Sequence, residues 1–366
     1  MPNPVLKPIE LGIRRAFLQM LRLISLFAKK RVQGKSAEEM IASLGERPSI
    51  LLLRQDRLGD VLMSTFVIDA LRKKYPKSKI AILLGNNNKG AASLLPGNCE
   101  FFIYSKNLSK DIATLRAVNR RKFDIAVDLT DNPSVTSSIL LAVIGARITV
   151  GVEKKNSISY DITVPSLTKH TTHITERVAE LLRPFGIDPK KVDRSPKLNL
   201  QSEKVSGRVG LNVSSRTPDR SAPAEACAKI AEGLLDQGVD EILVFAAPHE
   251  RWRGEDVVKA VRDTRVRLAE HTHSFREFAE QVATCKYLVT VDTSIIQIAA
   301  AAGIPMVLLF NPMYETTPWT PVGVPFEIHT QFPDLTSLEP EPVLALFRRL
   351  ISSSVVKSAT ISTVTA

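Results

Sequence analysis

Between residues 48 and 350 the chain alternates short apolar runs with longer stretches of helical periodicity. Runs of four to seven mostly aliphatic residues, bounded by glycine, proline or charged positions, read as strands buried on both faces. In the first half they fall at 49–54, 79–84, 99–104 and 123–129; in the second, at 208–213, 241–246, 287–291 and 306–310. Apolar positions at i, i+3, i+4 spacing predict helices over 60–74, 108–119, 136–144 and 172–182. The same spacing predicts further helices over 222–237, 252–262, 275–284, 294–302 and 339–350. Pro76, Gly145 and Pro184 supply stops. This alternation, with strands apolar throughout, implies an α/β fold of parallel, doubly wound sheets.

The pattern lapses between 186 and 203, a polar and charged stretch with Pro189 and Pro196. At 366 residues the chain exceeds one ordinary core, so this stretch is the expected boundary. The expected organisation is a basic amphipathic extension (1–47), a first α/β domain (48–186), a linker (187–206), a second α/β domain (207–350) and a flexible Ser/Thr/Val-rich tail (351–366).

Charge changes the picture next. The formal net charge is +11, which favours an anionic partner: nucleic acid, an anionic membrane face or a phosphorylated substrate. Aromatic residues make up only 6% and no nucleic-acid module is recognisable, so nucleic acid is not expected. Residues 12–35 hold seven basic residues and no acidic one, and Phe17, Met20, Leu21, Ile24 and Ala28 share one helical stripe. That composition suits a helix lying on anionic lipid. It equally suits a helix packed on its own domain. Arginines interrupt the apolar stretch too often for a transmembrane helix or a signal peptide. Cys99, Cys227 and Cys285 lack C-x-x-C spacing, which points to reduced thiols and no structural zinc. The expected location is cytoplasmic, peripheral on the inner face of the plasma membrane.

Four strand ends carry candidate chemistry. The first is the turn Arg54-Gln-Asp-Arg-Leu-Gly-Asp60, at the carboxyl edge of a sheet beside a helix start, where open α/β folds bind ligands. Asp60 either caps that helix or acts as a base on an acceptor hydroxyl. Gly59 lets the backbone turn, and Arg57 is placed either to pair with an acidic acceptor or to sit in solvent. The second is Asp292-Thr-Ser294, opening an alanine-rich helix that Gly303-Ile-Pro305 stops. The helix start offers N–H groups to a phosphate, and Asp292 suits sugar hydroxyls; a plain cap is the alternative. The third comprises Ser214, Ser215, Arg216 and Arg220, suited to a diphosphate without metal or to an ordinary hydroxyl turn. The fourth is Ala247-Pro-His-Glu250, where His249 and Glu250 either flank a nucleotide or decorate a loop. His170 and His173 read as surface residues. No Asp-x-Asp, Walker lysine loop, G-x-G-x-x-G or G-x-S-x-G appears.

Taken together, Ile50–Thr65 and Leu288–Pro312, with Ala247–Glu250 and Trp319–Gly323, resemble glycosyltransferase family 9, the lipopolysaccharide heptosyltransferase family. The resemblance spans residues 48–350. It implies a GT-B fold, two Rossmann-like domains facing across a cleft, the first for acceptor and the second for nucleotide sugar. It implies inverting, metal-independent transfer of heptose or a related sugar from a nucleoside-diphosphate donor, ADP-heptose-like, to lipopolysaccharide core or another lipid-linked envelope glycan, with no cofactor. Asp60 would be the base, with Arg57 and Gly59 near the acceptor. Ser214, Ser215, Arg216, Arg220 and His249 would lie near the donor diphosphate and nucleotide, and Asp292, Thr293 and Ser294 near the donor sugar and its phosphate. The chain departs from the family pattern at Ser294 (usually glycine), Gln297 (histidine), Ala222 (tryptophan) and Ile242 (often lysine). These changes imply an altered donor choice; the alternative is a non-catalytic nucleotide-sugar-binding or membrane-scaffolding member.

Overall fold

The structure, a computed structural model, describes residues 35–215, 220–311, 319–330 and 335–364. The expected lipid-facing helix, apart from Lys35, and Arg216 lie outside the described residues. The chain divides into two compact units, Met1–Arg194 and Ser195–Ala366.

In the first unit a short helix, α1 (Ala37–Ala42), starts with a reciprocal capping box between Ser36 and Glu39. Then follow β1 (Ile50–Arg54), α2 (Leu58–Met63), α3 (Thr65–Lys74), β2 (Ile80–Gly85), β3 (Glu100–Tyr104) and α4 (Leu108–Arg120). β4 (Ile125–Asp128), α5 (Val135–Ile144), β5 (Ile148–Val152), β6 (Ile162–Val164) and α6 (Ile174–Ala179) complete it. All six strands are parallel, in the order β3-β2-β1-β4-β5-β6. The second unit runs β7 (Arg208–Asn212), α7 (Ala224–Asp236), β8 (Glu241–Phe245), α8 (Arg251–Val261), β9 (Val266–Leu268), α9 (Phe275–Ala283) and β10 (Tyr287–Val291). It ends with α10 (Ile295–Ala301), β11 (Met306–Phe310), β12 (Phe326–Thr330) and α11 (Pro340–Val364). Its sheet, β12-β11-β10-β7-β8-β9, has the same winding. In each unit the first and fourth strands are neighbours, and the chain leaves them in opposite directions. That reversal is where open α/β sheets bind ligands, beyond the carboxyl ends of the strands.

Every residue of β1, β2, β5, β10 and β11 is buried, as apolar strands covered on both faces require. Leu51 and Leu53 pack with Val118, Leu140 and Ile144 in the first unit; Leu211, Val289 and Val307 pack with Ile230, Leu234 and Phe347 in the second. Three elements differ from expectation. The helix expected over 60–74 is two. Ser64 Oγ donates to Asp60 O (2.7 Å) and Thr65 Oγ1 to Leu62 O (2.6 Å), and such hydroxyl bonds to the preceding turn bend a helix. The helix expected over 172–182 gives way after Ala179 to a 3₁₀ segment, Glu180–Phe185, that contains Pro184. At the other end, α11 continues through Val364, where a frayed tail was expected.

Beyond β4 a buried polar network ties the sheet to its loops. Asp128 is fully buried and accepts from Tyr160 Oη (2.6 Å), Lys154 Nζ (3.1 Å) and Thr130 Oγ1 (2.6 Å). Burial pushes the Lys154 ammonium below its usual range, against the pull of Asp128. A Cβ on Gly151 would sit 2.4 Å from the Tyr160 ring, so only glycine lets the ring reach Asp128. Removing one member of a buried charged pair strands the other, at about 3–5 kcal/mol. Asp128→Ala is therefore expected to lower stability by about that amount in urea melts, and an unchanged midpoint would show that Lys154 finds water instead.

Candidate functional site

At the first switch point, Arg54 ends β1 with 2% of its surface exposed. Its Nη1 donates to Leu129 O (2.5 Å), across the reversal on the β4 side. Its Nε donates to Asp60 O (3.2 Å). The same guanidinium faces two carboxylates, Asp56 Oδ2 at 3.4 Å and Asp60 Oδ1 at 3.9 Å. The turn is held from a third side. Buried Asn88 donates from Nδ2 to Arg54 O (3.0 Å) and accepts the Gly85 N–H (2.8 Å). A Cβ on Gly85 would lie 2.5 Å from Gln55 O, so the β2 end and this turn meet only because position 85 has no side chain.

Asp60 does not cap the helix. The N-cap is Arg57, which makes no side-chain cap bond, and Asp60 sits in the first turn of α2, buried with 8% exposed. The side chain of Asp56 is about one-third exposed (36%). Its acid dissociation is pushed up to about 6, first by burial and then by neighbouring Asp60, while Arg54 pulls it down. Arg57 is exposed, and Gly59 is helical rather than in the left-handed region, so its expected part in turning the backbone is not what the turn uses.

The β4 side of this switch carries residues that sequence reading did not single out. Asp131, nearly buried, faces Arg177 Nη2 at 3.3 Å and Lys169 Nζ at 3.9 Å. Among the described residues, Asp131 Oδ1 and Arg177 Nε have no hydrogen-bond partner. The signal was the polar Asp128-Leu-Thr-Asp131 closing an apolar run, the same pattern that marked the end of β1.

At the second switch point an amide stands at the end of β7. Asn212 Nδ2 donates to Thr290 Oγ1 (3.0 Å) and Thr293 Oγ1 (3.3 Å), joining β7 to the β10 loop. Arg220 Nη1 meets Asp292 Oδ2 at 2.9 Å across the same reversal, both side chains partly exposed. Asp292 stands two residues before the N-cap of α10, which is Ser294 and makes no side-chain cap bond. Ser214 and Ser215 are buried and hold the loop together. Ser214 Oγ accepts the Ala247 N–H (2.6 Å), and the Ser215 N–H donates to Ser221 Oγ (3.0 Å). Ser221 lies 3.4 Å from buried Glu250, which faces Arg253 Nε at 3.4 Å. His249 is exposed on the 3₁₀ turn Pro248–Glu250. The structure thus joins Thr293 to Asn212 and Arg220 to Asp292, brings Ser215 and Glu250 to Ser221, and ties Ser214 to Ala247. The first turn of α7 follows Pro223, an N-cap that makes no side-chain cap bond, so Pro223 offers its N–H groups no side-chain acceptor.

Among the described residues no group of three or more His, Cys, Asp or Glu could hold a metal ion, and no helix is long and apolar enough to cross a membrane. The three cysteines are free, and burial pushes each thiol up to about 12, far from a reactive thiolate.

Comparison with known proteins adds three findings. Residues 112–334 match the model of glycosyltransferase family 9 (heptosyltransferase). Lipopolysaccharide heptosyltransferase 3 of Escherichia coli (strain K12) is 25% identical over 304 residues, covering 72% of this chain and 83% of that protein. The fold is that of the glycosyltransferase family 9 structure from Veillonella parvula (TM-score 0.70, 18% identity, 84% of this chain and 97% of that one). It is equally that of E. coli ADP-heptose lps heptosyltransferase II (TM-score 0.67, 20% identity, 84% and 99%), and both support the GT-B architecture. With more than half its length matched, the chain belongs to glycosyltransferase family 9, the heptosyltransferase family, and is a glycosyltransferase.

Proposed function

We propose that the protein is an inverting, metal-independent heptosyltransferase that moves heptose or a related sugar from a nucleoside diphosphate to a lipid-linked envelope glycan such as lipopolysaccharide core. The observation that carries this reading is the Asp60 carboxylate, held beside Arg54 at the carboxyl edge of the first sheet. Residues 48–186 are the acceptor domain and 207–350 the donor domain in this reading, with 187–206 between them.

Asp60 takes the proton of the acceptor hydroxyl as that oxygen bonds to the anomeric carbon. The bond from that carbon to the diphosphate oxygen breaks on the opposite face, so one displacement inverts the centre and the nucleoside diphosphate leaves with the electron pair. Leaving-group charge needs fixed cations and N–H donors. Arg220 and the uncapped first turn of α7 supply them, with Arg216 assigned alongside, and the chain has no Asp-x-Asp pair to carry a metal. When the diphosphate takes Arg220, Asp292 is released from its 2.9 Å pair to accept from sugar hydroxyls, with Thr293 and Ser294 beside it. Ser214 and Ser215 shape the loop that presents these groups, and His249 stands at its rim. Arg57, exposed at the mouth of the turn, suits an acidic acceptor. The ADP-heptose named for the E. coli structure and the lipopolysaccharide named for the curated relative support this donor and acceptor. Such an acceptor places the enzyme on the cytoplasmic face of the membrane, where the net charge of +11 favours anionic lipid.

Two outcomes test this. Asp60→Asn is expected to cut transfer by about 10²–10⁴ while the melting-point rise with ADP-heptose persists. Turnover like the wild type would remove the base assignment, and donor binding without turnover in the unaltered protein would favour the non-catalytic reading. The second concerns Asp56, which ionises near 6 when folded against 3.8 in its ordinary state. Because the folded value is raised, the unfolded chain loses this proton first. The group's contribution to stability is therefore greatest at acid pH and falls as pH rises from about 4 to 6. The melting advantage of Asp56→Asn over wild type should grow across that window and stay level above it; a difference that does not vary with pH would place the ionisation elsewhere.

A further inference from the structure

Most surface helices turn a polar face to water. α5 does not: Val-Thr-Ser-Ser-Ile-Leu-Leu-Ala-Val-Ile contains no charged residue. Its inner face packs Leu140, Leu141 and Ile144 on the sheet. Its outer face shows Ile139, Ala142 and Val143, with Ile139 37% and Val143 46% exposed. α4 lies beside it, and Asn119 Nδ2 donates to Val143 O at 3.0 Å. Ile112 (41% exposed), Arg116 and Asn119 fall at i, i+4, i+7 on α4, so this row runs alongside Ile139 and Val143. Of the six large apolar side chains exposed among the described residues, three lie on these two helices.

The exposed charges of α4 that lack a partner of opposite sign are all positive, while Arg121 at its end is paired with Glu100. Lys110, Arg116 and Arg120 are exposed on α4 and have no carboxylate partner among the described residues. The acidic residues of this stretch are used internally: Asp111 bonds Ser105, Asp124 bonds Ser49 and Arg147, Asp128 bonds Lys154, and Asp131 faces Arg177. A second copy docking through the same patch would bring these cations against themselves, in a chain already at +11. An apolar centre rimmed by unpaired cations instead complements a surface with anionic headgroups over an apolar interior.

We propose that the outer faces of α4 and α5 dock on an anionic phospholipid bilayer, Ile139 and Val143 entering the headgroup boundary while Arg116 and Arg120 meet lipid phosphates. This stands on exposure and charge alone, apart from the catalytic assignment and from residues 12–35. The test uses the full chain with phosphatidylglycerol and phosphatidylcholine vesicles. Ile139→Asp/Val143→Asp is expected to weaken partition onto phosphatidylglycerol tenfold or more, with the melting-point rise on nucleoside diphosphate intact. Arg116→Glu/Arg120→Glu should weaken it similarly and flatten its salt dependence. An added indole in Ile139→Trp should shift to the blue on phosphatidylglycerol and not on phosphatidylcholine. Wild-type partition of the Asp double variant, or no emission shift in Ile139→Trp, overturns the proposal, leaving other segments to hold the membrane. A change in oligomeric mass with unchanged lipid partition also overturns it, assigning the face to a second copy.

Discussion

A guanidinium with 2% exposure is the constraint on which the first unit depends. Taking a charge that far from water costs several kcal/mol unless acceptors and counter-charges converge on it. Arg54 meets that condition with parts that do different jobs. Leu129 O fixes β1 against the strand on the other side of the reversal, Asp60 O fixes the start of α2, and two carboxylates balance the charge. Arginine suits this role because its planar fork reaches several partners at once and does not lose its proton. A lysine would offer a point charge to one of them. The carboxylate of Asp60 therefore sits beside a permanent cation in a turn that cannot swing, and Asn88 and Gly85 close the remaining direction.

The second unit solves the same topological problem with an uncharged side chain at the end of its first strand. Asn212 occupies the place of Arg54 at the end of the first strand, and its amide joins the two sides of the reversal through Thr290 and Thr293. The charged pair, Arg220 with Asp292, is moved outward to where water reaches it. A cation meant to exchange partners has to be reachable and cannot be locked in a core, whereas a cation that only orients its neighbours is steadier when buried. In the function proposed above, the contrast between the two switch points follows from that difference.

Local patterns were readable because they depend on neighbours in sequence. Most apolar runs became strands buried on both faces, the edge strand β3 with its half-exposed Phe101 being the exception, and the turn that carries Asp60 stands where the run from Ile50 ends. What escaped was set by distance or by shortness. β6 and β9 are three residues each and β12 is half-exposed, too little for an apolar pattern to register. The Arg54–Leu129 bond spans 75 positions and Asn212–Thr290 spans 78, so no window on the sequence joins them. Ser214 was read by its hydroxyl alone; the structure gives that oxygen to the Ala247 N–H, a partner 33 residues away. The split of the first helix was present in the Ser64-Thr65 pair, whose hydroxyls bond the preceding turn, but helical periodicity ran across it unbroken.

The departures from the family pattern follow a physical rule of their own. Asp60, Arg220 and Asp292, the groups whose charge the proposed chemistry needs, are retained. Ala222 and Gln297, which stand where the family pattern has a tryptophan and a histidine, are buried, and the Ala222 N–H donates to Val213 O at the foot of the loop that leads to Arg220. A side chain the size of tryptophan at 222 would have to displace that strand end or turn outward, because interiors this closely packed do not absorb added volume. Exchanging large for small there changes the shape of the wall while leaving the charges in front of it in place. Altered fit with the charged groups retained is how a site comes to accept a different sugar on the same diphosphate, and in the function proposed above the Ala222 change bears on donor choice for that reason.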